Sequence, residues 1–408
     1  MANTIVNLND APGYVSKLAA KMFADKVVFC KAIDQEPASS YSGINGYSSG
    51  DTIQISKPSR YDVGTSADIT STVQDVVEGK VAMALDIRKV VAIELTSLEI
   101  ATDLALASWA KRILEPAISA MAQDVDATFL ELAKDATFNH VGTPGSSTFN
   151  TALTISANQK ITEFACSDDD DRSIILNPAA NSSAVVARNG LFQASDAISA
   201  QYKKGLMGIA DGMTFLHTNL LPTHVNGSKV TSVLVDGASQ TGATLHVDGL
   251  GAAGTATKGS VFTIAGVNAV HPITKADQGF LQQFVITAGV TADGGGDADL
   301  VISPSIITTG TTQTVTAGPA DNAAMVFVGT ATESIKQNLA FYRSAFRYVS
   351  VPLVMPGGTD MASQSTVDGI SIRVIRDYTV LTDKLIMRLD FLGGFSAVRP
   401  EWSVRLSN

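Results

Sequence analysis

Few residues in this chain combine the types and spacing that chemistry needs. Gly249–Gly254 reads GLGAAG and fits GxGxxG, with a strand-like ATLHV before it and Asp277 downstream at the distance of a ribose contact. That motif holds a dinucleotide only when a helix follows, because the helix N-terminus supplies the N–H groups that bind a pyrophosphate. Here TATKGSVFTI follows, a turn and a strand, so the stretch reads as a glycine-rich connection. Asp168–Asp171 is a run of four carboxylates that could ligate a divalent cation. Its plainer reading is a solvated loop before Arg172 and a buried strand. Asp293, Asp297 and Asp299 lie in DGGGDAD, which lacks the calcium-loop pattern and its closing Glu and reads as an exposed hairpin tip. His140, His217, His224, His246 and His271 are scattered, without HExxH spacing, and are expected at the surface or in loops. Cys30 and Cys166 have no partner pattern for a nucleophile. No catalytic residue, cofactor or metal is assigned, and the chain is not expected to be an enzyme.

The bulk properties agree with a folded chain. Its 408 residues exceed what a single core organises, so two or more domains are expected. At 45% hydrophobic and 17% charged residues it is folded rather than disordered. The 33 glycines and 6% aromatic residues point to many turns and modest individual cores. A net charge of −10 argues against broad nucleic-acid binding, which depends on cations releasing counterions. Two distant cysteines fit a reducing cytosol. The start, MANTIVNLNDAPG, lacks a signal peptide's basic and apolar regions, and no run reaches the ~18 apolar residues of a membrane span. The chain is expected to be made and assembled in the cytoplasm, with no membrane partner.

The element around which the chain is organised runs from Ser97 to Ala136. Ile100, Leu104, Ala107, Leu114, Ile118, Met121, Val125, Leu132 and Ala136 recur at helical spacing. Roughly 40 residues of helix would span about 60 Å, with a kink or split at Pro116. Such a rod needs strands or neighbouring copies along it. Before it, Val15, Leu18, Met22 and Phe23 mark a short amphipathic helix. Thr52–Ser56, Val73–Val77 and Lys80–Leu95 mark a long two-stranded loop. An isolated hairpin is marginal in water, so this loop must lie on another surface, a neighbour's included.

After the rod, Ser156–Ala165 and Ala179–Ala187 read as helices, and Ser173–Leu176 and Met213–His217 as strands. Residues 225–325 contain no Arg, Glu, Tyr or Trp and are rich in Gly and Thr. Strands are expected there at Val230–Val235, Thr244–Val247, Val261–Ile264, Gln283–Thr287, Leu300–Ile302 and Thr312–Thr316, the pattern of a small barrel or sandwich. A helix and further strands are expected from Met325: LAFYRSAFRYVSVPL as one strand, then ISIRVIRDYTV, KLIMRLDFLGG and EWSVRL, with Asp377–Asp383 and Gly393-Gly394 as turns.

In this order the chain resembles the major capsid proteins of tailed phages, specifically the coat-protein family of the Salmonella short-tailed phages. The phrases that carry the resemblance are KKGLMGIADGMTFLHTNLLP (203–222), KGSVFTIAGV (258–267), LAFYRSAFRYVSVPL (339–353) and MRLDFLGGFSAVRPEWSVRL (387–406). The resemblance covers nearly the full length and implies an α+β, Hong Kong 97-like capsid fold with an inserted all-β barrel. The implied division is an N-terminal arm at 1–45, an extended loop at 46–95, and a spine helix with peripheral domain at 96–149 completed by 381–408. An axial domain at 150–224 and 326–380 and the insertion at 225–325 make up the rest. The implied role is a structural protein whose hexamers and pentamers form an icosahedral shell around double-stranded DNA. Scaffolding and portal proteins would be assembly partners, and the virion capsid the final location. An encapsulin-like compartment is the alternative use of the same fold.

Arm, loop and rod would all need neighbours to cover apolar surface, as heterologous ring contacts provide. Asp51, Lys57, Arg60 and Asp62 on the loop, and Asp293, Asp297 and Asp299 on the insertion, are the candidate inter-subunit contacts. Lys57 and Lys80 could in principle form isopeptide links, but a surface ion pair is the simpler use.

Overall fold

The structure, a computed structural model, describes residues 12–36, 51–59, 61, 73, 79–96, 113–145, 149–188, 207–380 and 384–407. In chain order the elements begin α1 (Pro12–Lys26), α2 (Phe29–Ala32), β1 (Asp34–Gln35), β2 (Thr52–Lys57), β3 (Gly79–Ala84), β4 (Ile87–Thr96) and α3 (Glu115–Ala136). There follow β5 (Asn139–Val141), α4 (Thr151–Glu163), β6 (Arg172–Leu176), α5 (Pro178–Ala187), β7 (Ile209–Ala210), β8 (Met213–His217) and β9 (Thr223–Val225). Next are β10 (Leu234–Val235), β11 (Gly242–Asp248), β12 (Thr255–Ala256), β13 (Val261–Val270), β14 (Asp277–Ala288), β15 (Val290–Thr291), β16 (Ala298–Ile306) and β17 (Met325–Phe327). The last are β18 (Ser334–Lys336), β19 (Asn338–Tyr342), β20 (Phe346–Ser350), β21 (Met361–Val367), β22 (Ile370–Thr379), β23 (Lys384–Ala397) and β24 (Ser403–Leu406).

The chain divides into two compact units. The first comprises residues up to Ile55, Lys80–Phe129 and Phe346–Ser396. Its sheet runs β1-β20-β23-β22-β21, with β4 also paired to β23. The long strand β23 is flanked by β22 from Lys384 to Phe391 and by β4 from Lys384 to Gly393. Strands β21 and β22 turn at Asp368 (φ 49°) and Gly369 (φ 73°). Positive φ at both central positions is what an Asp-Gly pair supplies to a tight hairpin, a signal the sequence analysis passed over. Gly393 and Gly394, expected to turn, lie inside β23 instead. A Cβ on Gly394 would sit 2.6 Å from the Ala84 carbonyl oxygen, and one on Gly393 2.9 Å from that of Val349. Glycine is used here so that neighbouring backbone can approach closely.

Helix α1 packs on β21 and β22. It buries Ser16, Ala19, Ala20, Phe23 and Ala24, and the Phe23 ring stacks on Phe391 with centroids 5.3 Å apart. The buried stripe is thus displaced from Val15, Leu18 and Met22, which are only half-buried, because small side chains let the helix settle closer to the strands. This corrects the expectation that the arm needs a neighbour: this helix's apolar face is covered by its own subunit. The base of the β2–β3 pair is corrected in the same way, since Ile53, Ile55, Met83 and Leu85 are buried.

Helix α3 continues at Glu115 directly from the π-helical Ile113 and Leu114, a local widening of the helix beside Pro116. The upstream part of the expected rod, 97–112, lies outside the described residues, as do 46–50, 60, 62–72 and 74–78 of the expected loop, the last including most of the expected strand Val73–Val77. Along α3 the buried positions are Ile118, Met121, Ala122, Val125, Asp126, Phe129, Leu130, Ala133 and Lys134. Leu132 and Ala136, expected on this face, are only partly covered.

The second unit comprises Ser56–Gly79, Leu130–Ala345 and Ala397–Asn408. One of its sheets runs β5-β24-β19-β6-β8-β7. Strand β24 is parallel to β5 and antiparallel to β19, and β6 is antiparallel to β19 and parallel to β8. RSIIL in β6 is buried at every position, as an apolar run inside a covered sheet should be. Helices α4 and α5 begin at Asn150 and Asn177, whose side chains accept from the Leu153 and Ala180 N–H groups. Ala157, Ile161, Ile174, Leu176, Ala340 and Val404 share the core they enclose.

LAFYRSAFRYVSVPL does not form one strand. A 3-10 turn at Arg343–Ala345 breaks it, so β19 joins this sheet while β20 joins that of the first unit. Residues 346–396 therefore group with the residues up to Ile55 and with Lys80–Phe129. The helix expected after Met325 is absent among the described residues, which hold only 3-10 turns there.

Within the second unit a further sheet runs β10-β11-β16-β14-β13-β17, all antiparallel. Its ends meet: Val235 N donates to Ala323 O (3.1 Å) and Asn322 N to Val235 O (2.9 Å), closing the barrel. Leu245, Val247, Phe262, Ile264, Phe284, Ile286 and Leu300 fill it. Two expected strands are corrected. Only Leu234–Val235 of 230–235 pairs, because Ser232 turns the chain with φ 60°. Of 312–316 only Val315 bridges, to Ala269. There the Thr314 hydroxyl donates to Ser305 O (2.7 Å) and competes with a ladder.

Candidate functional site

Candidate contact residues come first. Asp51 and Lys57 are described, and Arg60 and Asp62 lie outside the described residues. The Asp51 carbonyl accepts from Leu85 N (2.8 Å), which ties the base of the hairpin, and Lys57 lies beside Gly79 where β2 meets β3. Asp293, Asp297 and Asp299 are brought to one end of the barrel. Asp293 Oδ1 accepts from the backbone N–H of Gly295 (2.8 Å), Gly296 (2.9 Å) and Asp297 (3.0 Å). Those donors, Asp297 first, hold its carboxyl below the usual range. Asp299 pairs with His246 across β11 and β16.

The glycine motif at 249–254 connects β11 to the two-residue strand β12, with no helix after it. Its glycines serve close packing: a Cβ on Gly249 would lie 2.4 Å from Ser232 O. In the acidic run, Asp168 pairs with Arg172 (3.2 Å) and Asp169 accepts from the Tyr342 hydroxyl (3.0 Å). Arg172 is buried and also donates to the Ser167 and Cys166 carbonyls and to Thr162. Among the described residues no group of His, Cys, Asp and Glu is arranged to hold a metal ion. Gly46–Gly50, GYSSG, has the spacing of a nucleophile elbow that the sequence analysis passed over. It lies outside the described residues, and β2 follows where that motif needs a helix.

Both thiols are buried. Burial, with Asp126 beside it, raises Cys30 well above its ordinary value, and burial pushes Cys166 up to about 12. At neutral pH both stay protonated and are poor nucleophiles.

Among the buried charges that escaped the sequence reading, Asp126, Asp390 and Arg405 each join distant segments. Asp126 on α3 accepts from Val28 N (2.9 Å), Phe29 N (3.0 Å) and Cys30 N (3.1 Å). It satisfies the N–H groups that open α2, which no local side chain caps. A carboxylate inside an otherwise apolar helical stripe was the available signal. Asp390 on β23 is sealed by arginines: Arg373 Nη2 donates to Oδ2 (2.5 Å) and Arg388 Nε to Oδ1 (2.8 Å). Its signal was a charge flanked by Leu389 and Phe391 within a strand.

Arg405 on β24 is buried and donates from Nη1 to Gly259 O (2.8 Å). Asp135, at the end of α3, pairs with Lys134 (3.0 Å) and Lys258 (3.1 Å). His140 and His224 belong to the same cluster, against the expectation of surface histidines. His140 Nε2 meets Ser407 Oγ (2.7 Å), and His224 Nε2 meets Ser260 Oγ (3.2 Å). Burial, then Arg405 and then His224, lowers His140 to about 3. Burial, then Arg405 and Lys134, lowers His224 to about 4, with Asn226 and Asp135 opposing. Burial also lowers Arg405 to about 10, with Asp135 opposing.

A cavity of about 770 Å³ in the second unit is lined by Phe138, Phe164, Gln282, Pro304 and Pro400, with Lys57 and Glu401 as its ionisable groups. The charged groups described so far immobilise backbone and bind segments together.

The family model described as P22 coat protein, gene protein 5, matches residues 14–407. No curated protein sequence matches. Among solved structures the chain is similar to one from Mycobacterium phage Che8, at 12% identity and TM-score 0.47, covering 93% of this chain and 90% of that one. It is also similar to the capsid of Ralstonia phage GP4, at 8% identity and TM-score 0.47, covering 92% and 87%. A virus-like particle from Pyrococcus furiosus aligns at 7% identity and TM-score 0.41, covering 96% and 97%. At these scores the family match alone carries the identification.

Proposed function

The chain belongs to the P22 coat protein family and is a structural major capsid protein of a phage head shell, and from that premise we propose that its copies meet as hexamers and pentamers to close an icosahedral wall around double-stranded DNA. The match across residues 14–407 carries the reading. In it the protein has no enzymatic activity and holds DNA by enclosure, consistent with a net charge of −10. Scaffolding and portal proteins are its partners during assembly in the host cytoplasm. Co-expression with the scaffolding partner, followed by negative-stain imaging, is expected to show closed shells of uniform diameter. Protein that stays monomeric or dimeric under all assembly conditions would refute the reading.

In the same reading Asp51, Lys57, Arg60 and Asp62 pair across subunits, and the barrel end at Asp293, Asp297 and Asp299 faces a neighbouring copy. Charge reversal, Arg60→Glu, is expected to lower shell yield by about tenfold, as unpaired interfacial charges cost a few kcal/mol. Wild-type yield from that variant would remove the loop contact.

Residues 225–325 form an inserted domain in this reading. Support comes from the barrel's own closed sheet and filled interior. Expressed alone, 225–325 is expected to give a β-sheet circular dichroism spectrum and a cooperative melt. A spectrum of unfolded chain would move the boundaries.

A further inference from the structure

One guanidinium in the second unit has no anion. Arg399 opens the 3-10 turn Pro400–Trp402; its N–H donates to Ala345 O (3.0 Å) and its carbonyl accepts from Trp402 N (3.0 Å). Those bonds fix the backbone on both sides of the side chain. The guanidinium lies over the Trp402 ring, with Cζ 4.1 Å from the centroid. The indole is itself held, because Nε1 donates to Phe164 O (3.1 Å) and the Tyr342 ring meets it edge-on at 5.4 Å. Among the described residues no carboxylate pairs with the Arg399 side chain and no oxygen accepts from it.

That side chain borders a cavity of about 300 Å³ lined by Tyr61, Phe164, Pro272, Ile273 and Trp402. Tyr61 and Ile273 are large apolar side chains left 54% and 62% exposed. The cavity shares Pro58, Ser59, Phe164, Pro272 and Glu401 with the larger one described above, so the two form one cleft. Four stretches of the second unit meet there: the residues after β2 and the α4–β6, β13–β14 and β23–β24 connections. Among the described residues Glu401 is the one carboxylate of the lining, and it already has a partner, as Lys57 does. On the α4–β6 connection, Asp168 is engaged by Arg172 and Asp169 by Tyr342.

We propose that this cleft binds a small planar aromatic carboxylate, with its ring among Tyr61, Phe164 and Trp402 and its carboxylate on Arg399. A concave site with mostly apolar walls and one convergent polar group is the usual build of a small-molecule site. Aromatic walls favour a flat ring through face and edge contacts. An arginine grips a carboxylate through two parallel N–H groups. Stacked on a fixed indole, this one loses little freedom on binding. One unpaired cation matches one negative charge, whereas the second charge of a phosphate finds no counterpart and faces Glu401. Bound across four stretches of chain, such a ligand ties the second unit together. The named residues all belong to one subunit, so the soluble chain carries the site whether or not it assembles.

The test titrates the soluble full-length subunit with indole-3-acetate and with indole-3-acetamide, which has the same shape and no charge, by isothermal calorimetry. Indole-3-acetate is expected to bind once per chain with a Kd of about 100 µM, within reach of a ligand this small. The amide is expected to bind at least ~10-fold more weakly, because it lacks the charge-assisted bonds. Arg399→Gln is expected to weaken indole-3-acetate at least ~10-fold and to leave the amide within about twofold. Ile273→Asn is expected to weaken both ligands about threefold. Arg399 is half-buried and Ile273 exposed, so both variants should melt within about 2 °C of the parent. No saturable binding by the parent up to about 5 mM overturns the proposal. Equal affinity for acid and amide overturns it too, as does parent-like binding by the Arg399→Gln chain. Should Arg399→Gln fail to fold, the acid–amide ratio on the parent and the Ile273→Asn titration decide by themselves.

Discussion

Asp126→Ala is expected to cost the folded subunit roughly 4 kcal/mol, among the largest losses a single substitution can produce. The carboxylate accepts from three successive N–H groups, those of Val28, Phe29 and Cys30. The two bonds to Phe29 and Cys30 are fully buried, so water does not replace them. Each orphaned buried donor costs about 1–3 kcal/mol, and bonds to a charged acceptor stand at the upper end. Asp126→Asn keeps one carbonyl oxygen and should lose about half as much. Urea unfolding checks both: the midpoint should fall in the order Asp, Asn, Ala with the slope unchanged. Equal midpoints would mean that α2 is held by Phe29 and its ring contacts with Phe346 and Phe395 rather than by the carboxylate.

The second large effect is with acid. His140 and His224 are neutral in the fold, lowered to about 3 and about 4 by burial and by Arg405. An unfolded histidine binds a proton near pH 6.5, so below that pH the unfolded chain takes up protons that the native cluster refuses. Stability is therefore flat above about pH 6.5 and falls as pH drops toward the folded values. Between about pH 7.5 and pH 5 the loss is roughly 2 kcal/mol for each histidine, or about 4 kcal/mol together. Most carboxylates do not titrate in that window. The variant His140→Gln with His224→Gln keeps a donor and an acceptor for Ser407 and Ser260. It should flatten the pH profile to within about 1 kcal/mol. A parent-like slope in the variant would place the titration elsewhere.

How much of this was legible depended on whether the signal was local. Ala179–Ala187 was legible as a helix and Ser173–Leu176 as a buried strand because each pattern is complete within a few residues, and the structure adds that Asn177 caps α5. The composition of 225–325 announced an all-β region, and a closed barrel occupies it. Register and partnership were not legible. Nothing in LAFYRSAFRYVSV says that β19 and β20 serve different sheets, because the turn at Arg343–Ala345 contains no glycine or proline. Gly393-Gly394 looked like a turn because its use, admitting Ala84 and Val349, depends on residues far away in sequence. The histidines looked dispersed for the same reason. His140 and His224 share a cluster only because β24 carries Arg405 to the end of α3. Asp126 and Asp390 broke the apolar pattern, and a pattern search skips the residues that break it.

Strand β24 has one more consequence, for the order in which the protein comes off the ribosome. β5 enters its sheet only alongside β24, and Thr137 meets Ser403 across 266 positions of chain. Translation at about 5–20 residues per second leaves β5 without its neighbour for tens of seconds. A nascent chain of this protein therefore cannot finish the sheet early, and chaperones have that interval in which to hold it.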